Sequence, residues 1–378
     1  MTNKDVVTVS KRDGTLVETL TSLISSSFNV SWENNSTYQI TFTAFDDKSV
    51  SYALLLSENI ITWRGQQFVI KQCVPNFSGN YNTVAITATH IYLDVRRIFQ
   101  HNKKAGTLTY SVKDVLAFYF DKSPFGYSYE VSGDFSKQQI TDLGGNNAFE
   151  GLSQIVSTWK DVVIYPDNKK ITIYTKDSFS KNLGNRLGYG HNADNMTLTY
   201  DSTGLINQLT VVSTNKDDGK PYFQSHIIKD DASIKEYGVW DGGDFSDERY
   251  HDSNNADTAA RAKFVTQPSV SVTLDYLDND IPVPGELRRL EIIDTGFVTN
   301  VMVVAYNYYP LDDSLKTSIT LNSNAKTVLD FQRSNRNQLY QSKQNTAALS
   351  AAIQETNDQI EKIILNQPKS WVVGKIEG

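Results

Sequence analysis

The feature that most constrains this chain is an alternation of apolar and polar residues between positions 38 and 95. Residues 38–45 read YQITFTAF, and residues 84–90 repeat the same period of two. Between them, two β-rich runs flank Arg64-Gly65, which is a turn signal. The pattern predicts an antiparallel meander with one buried face, long enough to close into a small barrel or sandwich.

Beyond residue 100 the character of the sequence changes. Ser111 can cap a helix over residues 112–120, and Asn146 or Asn147 can cap a second helix. A hairpin pattern follows at 162–174. This mixture predicts an α+β module.

The rest of the chain is again rich in strand patterns, interrupted by a polar stretch. We therefore predict a mainly β fold with α+β insertions. The predicted segments are a first β domain (1–100), the intermediate α+β module (101–195), strand-rich segments (196–214 and 266–325), an inserted polar segment with a helix and little core of its own (215–265), and a C-terminal helix with a short tail (326–378).

Composition excludes several functional classes. A formal net charge of −7 argues against a reader of duplex DNA, whose affinity depends on a basic patch. Cys73 is the only cysteine, so no internal disulfide can form, and the chain fits a reducing cytosol. The first residues lack the apolar core of a signal peptide, and no run approaches the roughly 18 apolar residues of a membrane span. We expect no stable membrane insertion.

No motif for catalysis or for a cofactor is present. The histidines lack the spacing of metal ligands on one helix, and there is neither an HExxH nor a GxSxG motif. His90 falls on the apolar face of a strand, which predicts a hydrogen-bonded core histidine. Gly144–Asn147 (GGNN) precedes a helix, and we interpret it as a loop plus a helix cap. The five histidines are His90, His101, His191, His226 and His251.

Two clusters of acidic residues leave a calcium site open as the weaker alternative to solvated turns. Carboxylate oxygens suit Ca²⁺, but neither cluster has the spacing of an EF-hand loop. Any two carboxylates could also meet in space as a glycosidase pair, and nothing in the sequence singles out one pair. The clusters are Asp275, Asp278 and Asp280, and Asp241, Asp244 and Asp247.

The C-terminal segment has the pattern of a short coiled coil. Residues 327–365 contain neither Pro nor Gly, and apolar residues recur on one heptad seam that two threonines weaken. This helix either packs on its own domain or forms a trimer. The mixture of β-branched Ile with Leu favours the trimer. The predicted oligomerisation seam is Leu339, Thr346, Leu349, Ile353, Thr356, Ile360 and Ile363.

The order of these elements resembles the prophage endopeptidase tail (tail-associated lysin) family of siphophages that infect Gram-positive bacteria. More broadly, it is similar to the baseplate hub proteins of contractile-tailed phages. The resemblance covers about residues 1–325. It is carried by residues 61–73 (ITWRGQQFVIKQC), 84–95 (VAITATHIYLDV), 107–120 (TLTYSVKDVLAFYF), 129–135 (YEVSGDF), 146–174, 187–213 and 285–324.

The resemblance implies a trimeric tail-tip hub in the virion, synthesised in the bacterial host cytoplasm. Each subunit would hold two tail-tube-like antiparallel β-barrels, so that three subunits give a ring of six. The first barrel would be 1–100, and the second would combine 196–214 with 266–325. The intermediate module 101–195 would lie below the ring, close the tail tube and gate DNA ejection on host adsorption.

The resemblance also implies partners. They are the hexameric distal tail protein, receptor-binding proteins and the tape-measure protein, with DNA only as passing cargo. Many members continue into a cell-wall hydrolase domain, whereas this chain ends about a dozen residues after its coil, so we expect no enzyme. Two alternatives stay open: a tail-associated cell-wall hydrolase, and a carbohydrate-binding adhesin suggested by the many aromatic residues.

Overall fold

A computed structural model of the chain shows its fold. The structure describes residues 6–78, 81–159, 161–278, 281–292 and 297–323, together with positions 346, 350 and 354. The chain divides into two compact units, residues 1–324 and 325–378. In the first unit, strands predominate and most pair antiparallel, so the predicted mainly β class is confirmed.

The N-terminal strands are antiparallel with one buried face, as predicted, but they do not form a simple meander, because Thr37–Phe45 pairs with Tyr81–His90 and not with Ile60–Trp63, the next strand along the chain. The sheet order is β4-β7-β6-β5-β1-β2, and β3 lies on the other side of β4. From Thr37 to Ala44 the side chains of β4 alternate between half-buried and buried, and the buried ones are apolar or aromatic; Phe45 at the strand end is exposed. The strands are β1 (Val7–Ser10), β2 (Val17–Thr19), β3 (Asn29–Glu33), β4 (Thr37–Phe45), β5 (Ile60–Trp63), β6 (Gln66–Ser78) and β7 (Tyr81–His90); the short helices are α1 (Val50–Ala53) and two 3-10 helices (Ser25–Ser27 and Ile91–Arg97).

The Arg64-Gly65 turn has the geometry that a two-residue hairpin requires. Its φ angles are 48° for Arg64 and 79° for Gly65, both in the left-handed region. Two consecutive left-handed residues match the right-handed twist of the flanking strands. This turn therefore fixes the register of β5 on β6, in which Trp63 faces Gln66.

The intermediate module contains both predicted capped helices. Ser111 and Asp114 form a complete capping box on the first, and Asn147 and Glu150 form one on the second. The elements are β8 (Phe99–Tyr110), α2 (Val112–Phe120), β9 (Ser128–Ser132), β10 (Gln138–Asn147), α3 (Ala148–Thr158), β11 (Val162–Asp167), β12 (Lys170–Thr175) and α4 (Lys176–Phe179).

One prediction in this module is wrong. The GGNN segment is the end of strand β10 and not a loop, although Asn147 does cap α3. β10 pairs with β8 in a two-stranded sheet whose register shifts between Gly144 and Asn146. A Cβ on Gly144 would lie 2.2 Å from the carbonyl oxygen of Asn102, so the close strand approach requires glycine. β8 is mostly exposed, and β10 buries only Ile140 and Leu143, so neither strand has the alternating apolar face that makes a strand visible in the sequence.

The C-terminal strands continue the large sheet in the order β14-β18-β21-β20. β19 pairs with β20 on the edge opposite β21, and β13 pairs with β19. The sheet is an open path that ends at β14 and β2, so closure into barrels remains a prediction. The elements are β13 (Lys181–Gly188), β14 (Ala193–Asp201), β15 (Gln208–Val211), β16 (His226–Lys229), α5 (Asp231–Tyr237), β17 (Asp241–Phe245), α6 (Ser253–Arg261), β18 (Ser269–Tyr276), β19 (Glu286–Ile292), β20 (Phe297–Tyr308) and β21 (Thr317–Ser323).

The inserted segment differs from the sequence-based expectation. β15 lies within the predicted strand segment 196–214, but it pairs with β16 and β17 and not with the large sheet. Together with α6 these strands enclose a small core. Its buried members are Leu209, Val211, Ile228, Ala256 and Ala260. This core was not apparent in the sequence, because the segment is polar overall and two of the five core members are small alanines.

Candidate functional site

The most informative site is the junction between the two halves of the large sheet. Strand β3 of the N-terminal half pairs antiparallel with the end of β20, so that Trp32 lies opposite Tyr306. The Asn34 N–H extends the ladder by donating to the Val304 carbonyl at 2.9 Å. One chain thus joins two antiparallel sheet halves edge to edge across some 270 residues of sequence.

A cluster of aromatic rings covers this junction. The ring of Trp32 lies 5.8 Å from Tyr306, 6.1 Å from Tyr165 and 6.4 Å from Phe179, measured between centroids. Phe179 also lies 5.3 Å from Tyr174 and is only 2% exposed. The cluster therefore connects the first half, the intermediate module and β20 through one set of packed rings.

Gly285 allows β19 to approach this cluster. Its φ is +77°, and a Cβ at this position would lie 2.6 Å from the Phe179 ring. A side chain would therefore clash with a fully buried ring and strain the backbone at the same time. The glycine at the start of β19 is explained by packing at the junction.

Two asparagine side chains attach the intermediate module to the first half. Asn35, in the β3–β4 turn, accepts from the Ile164 N–H at 2.8 Å and donates to the Val162 carbonyl at 2.7 Å. Asn168, in the β11–β12 turn of the module, makes the same pair of bonds to the backbone of the first half. It accepts from the Gln67 N–H and donates to the Gly65 carbonyl, each at 2.9 Å. Each amide satisfies one backbone donor and one acceptor, which are costly to leave unpaired.

His90 is a core histidine, as predicted. Its Nδ1 accepts from the Tyr92 N–H at 3.3 Å, so Nε2 carries the proton and donates to Gln66 Oε1 at 3.0 Å. The ring stacks on Tyr38 with a centroid distance of 4.4 Å. Burial lowers the pKa of His90 from 6.5 to about 3. The imidazole is therefore neutral and structural at neutral pH.

We expect the stability of the chain to fall on acidification because of His90. The charged form is disfavoured in the folded state, so stability is lost as the pH falls from 6.5 toward about 3. The loss from this group is about 2 kcal/mol at pH 5. Urea unfolding at several pH values measures it. His90→Gln should flatten the dependence between pH 7 and 5, whereas His101→Gln, at an exposed position, should not. If the free energy of unfolding changed with pH to the same extent in the unmodified chain and in both variants, His90 would not be the group responsible for the loss.

A buried ion pair lies at the start of β19. Arg288 Nε and Nη2 lie 2.8 and 2.7 Å from Glu286 Oε2, and Asn185 Nδ2 donates to Glu286 Oε1 at 2.6 Å. Glu286 is 0% exposed and Arg288 is 2% exposed. The guanidinium also lies 4.5 Å from the centroid of the Tyr276 ring. The pair joins β13, β18 and β19 at a point where neither charge can reach water.

The acidic residues considered for a calcium site do not gather into a metal site in the described part of the chain. There, no group of three or more His, Cys, Asp or Glu side chains could hold a metal ion. Asp275 and Asp278 instead accept from Asn195 and Asn192, and Asp247 pairs with Arg249. Asp280 lies outside the described residues.

The oligomerisation seam lies almost wholly outside the described residues. Only Thr346 is described, and it is helical and exposed; Ser350 and Gln354, away from the seam, are helical and exposed as well. None of the helices in the described part of the chain has the length and apolar character needed to span a bilayer.

Three family models match consecutive parts of the chain. They are described as the prophage endopeptidase tail N-terminal domain (residues 7–90), the prophage endopeptidase tail domain (98–173) and the prophage endopeptidase tail (181–332). Together they span most of the sequence. The chain therefore belongs to the prophage endopeptidase tail family, and the resemblance seen in the sequence is confirmed.

Solved structures show the same fold. Prophage tail protein gp18 from Listeria monocytogenes is 23% identical, with a TM-score of 0.64 over 87% of this chain and 97% of its own. The 43 kDa tail protein of prophage MuSo2 from Shewanella oneidensis is 11% identical, with a TM-score of 0.58 over 85% and 98%. A tail protein from Neisseria meningitidis is 8% identical, with a TM-score of 0.55 over 84% and 96%. No curated protein matches the chain.

Proposed function

We propose that the chain is a structural phage tail-tip protein, a baseplate hub that assembles as a homotrimer. The observation that carries this proposal is the β3–β20 junction, which joins two antiparallel sheet halves side by side within one chain. Three such chains would supply six similar segments. A trimer built this way could match a six-fold tail tube.

We infer that each sheet half is a tail-tube-like β-barrel. The first comprises residues 1–100 and the second residues 196–214 with 266–325, with the module 101–195 between them. The boundaries of the three family matches, 7–90, 98–173 and 181–332, support this division. The pairing of β15 with β16 and β17 supports moving residues 208–211 from the second barrel to the insertion 215–265.

The proposed location is the distal tip of the virion tail. There the ring would continue and close the tail tube below the hexameric distal tail protein, near the tape-measure and receptor-binding proteins. DNA would pass through as cargo when the intermediate module moves aside on host adsorption. The solved relatives from Listeria, Shewanella and Neisseria, described as tail proteins, support this placement.

We infer a structural and not an enzymatic role. The word "endopeptidase" in the family description is the one finding that favours a hydrolase. A zymogram on Gram-positive cell walls separates the two functions, because clearing by the purified protein would contradict a purely structural role.

We expect the full chain to be a trimer in solution, with a mass of about 127 kDa, three times the 42.4 kDa of one chain. Size-exclusion chromatography with light scattering measures the mass. If the C-terminal seam holds the trimer, the double variant Ile353→Asp/Ile360→Asp should give monomers, because two charges per chain would enter an apolar seam.

The matched control is Gln354→Asp, which adds the same side chain at an exposed position outside the predicted seam. It should leave the trimer intact. A stable monomer of the unmodified chain at micromolar concentration would contradict the trimer itself. A trimer that persists in the double variant would contradict only the role of the seam.

A further inference from the structure

A small cavity lies where the first half of the sheet meets the intermediate module. Its volume is about 270 Å³, room for several waters at about 30 Å³ each. Its walls come from the β1–β2 turn, the 3-10 helix Ile91–Arg97, the loop before β9 and the β11–β12 turn. Ile60 and Ile91 are buried side chains of the lining. Segments distant in sequence therefore form one recess, which is partly open to solvent.

Four cationic side chains line this cavity: Lys11, Arg12, Arg97 and Lys169. Among the described residues of the lining, the only carboxylate is Asp13, which is engaged by its own turn. Its Oδ1 accepts from the Thr15 N–H at 3.0 Å and from the Thr15 hydroxyl at 2.7 Å. An excess of positive charge in a protein of net charge −7 is a local feature and not a consequence of composition.

The neighbouring acidic groups do not neutralise this excess. Glu58 and Asp94 pair with Arg12 and Lys71 in a four-membered network, so two charges of each sign cancel. The Lys169 ammonium donates to the Phe125 carbonyl at 3.0 Å, a neutral partner. Lys11 and Arg97 have no ion pair among the described residues. Three cations thus face one carboxylate.

We propose that this cavity binds a phosphate group carried by a small molecule. A phosphate brings up to two negative charges and three acceptor oxygens, which match donors that converge from separate segments. A carboxylate, with one charge and two oxygens, would leave part of the cationic lining uncompensated. The apolar wall formed by Ile60, Ile91 and Phe125 suits the carbon skeleton of a phosphorylated polyol.

The test is thermal unfolding of the full chain with increasing inorganic phosphate, glycerol 3-phosphate or acetate, at constant ionic strength set with chloride. Both phosphates should raise the Tm by a few degrees, with a Kd on the order of 1 mM. A larger rise with glycerol 3-phosphate would identify a phosphorylated polyol as the ligand, and equal rises would identify the phosphate group alone. Either result supports the site.

Arg97→Gln should weaken phosphate binding about tenfold, the loss of roughly one charge-assisted contact. Arg96→Gln is the matched control: it removes the same charge from the adjacent residue, which lies 4.1 Å from the Phe149 ring and does not line the cavity. Equal weakening in the two variants, an equal response to acetate, or no rise in Tm with either phosphate would overturn the proposal.

Discussion

Phe179→Ala is expected to destabilise the chain by about 3–5 kcal/mol, the range measured for truncating a fully buried aromatic residue. Phe179 is 2% exposed and contacts the rings of Trp32, Tyr165 and Tyr174. Its removal leaves a cavity between β3 of the first half and the β11–β12 hairpin of the intermediate module. Because the large sheet on one side and the three-stranded sheet of β11, β12 and β9 on the other hold the walls apart, little collapse into this cavity is expected.

Urea unfolding at matched protein concentration measures the loss. Phe77→Ala is the control, because Phe77 is 79% exposed and its truncation should change the free energy of unfolding by about 0.5 kcal/mol or less. Hydrogen exchange adds a local readout: amides of β11 and of the end of β20 should exchange faster in Phe179→Ala. A loss below about 1 kcal/mol would show that the aromatic cluster does not hold the junction together.

Local patterns predicted the local structure well. The alternation in residues 38–45 and 84–90 was sufficient to predict antiparallel strands with one buried face, but not their order, because β4 pairs with β7 and not with β5, the next strand along the chain. The helix caps were also visible: Ser111 was predicted to cap α2, and Asn146 or Asn147 to cap α3, of which the structure uses Asn147. Interactions within a few residues leave a direct trace in a single sequence.

The junction left no such trace. The pairing of β3 with β20 joins residues some 270 positions apart, and nothing in either strand specifies the other. Phe179 was missed because it is the last residue of a short helix with no amphipathic pattern. Asn35 and Asn168 were visible only as turn residues. Their positive φ angles of 58° and 51°, which asparagine tolerates, agree with that role. Their second role, bonding a distant strand, depends on tertiary structure.

Glu286→Gln is the second substitution with a large expected effect, again about 3–5 kcal/mol. The amide keeps the shape of the side chain and can still accept a hydrogen bond from Asn185, so packing changes little. The loss arises because the Arg288 guanidinium, 2% exposed, keeps its charge without a counter-ion. The control is Glu130→Gln. It breaks the Glu130–Lys170 pair, whose side chains are about half exposed, and should change stability little.

The double variant Glu286→Gln/Arg288→Met separates the two causes. If the uncompensated charge dominates, removing the guanidinium should restore most of the stability, and the double variant should be more stable than Glu286→Gln alone. If the hydrogen bonds between β13, β18 and β19 dominate, the second substitution should add to the loss. The cycle is completed by the unfolding free energies of the unmodified chain, Glu286→Gln, Arg288→Met and the double variant, and an additive result would contradict a coupled buried pair.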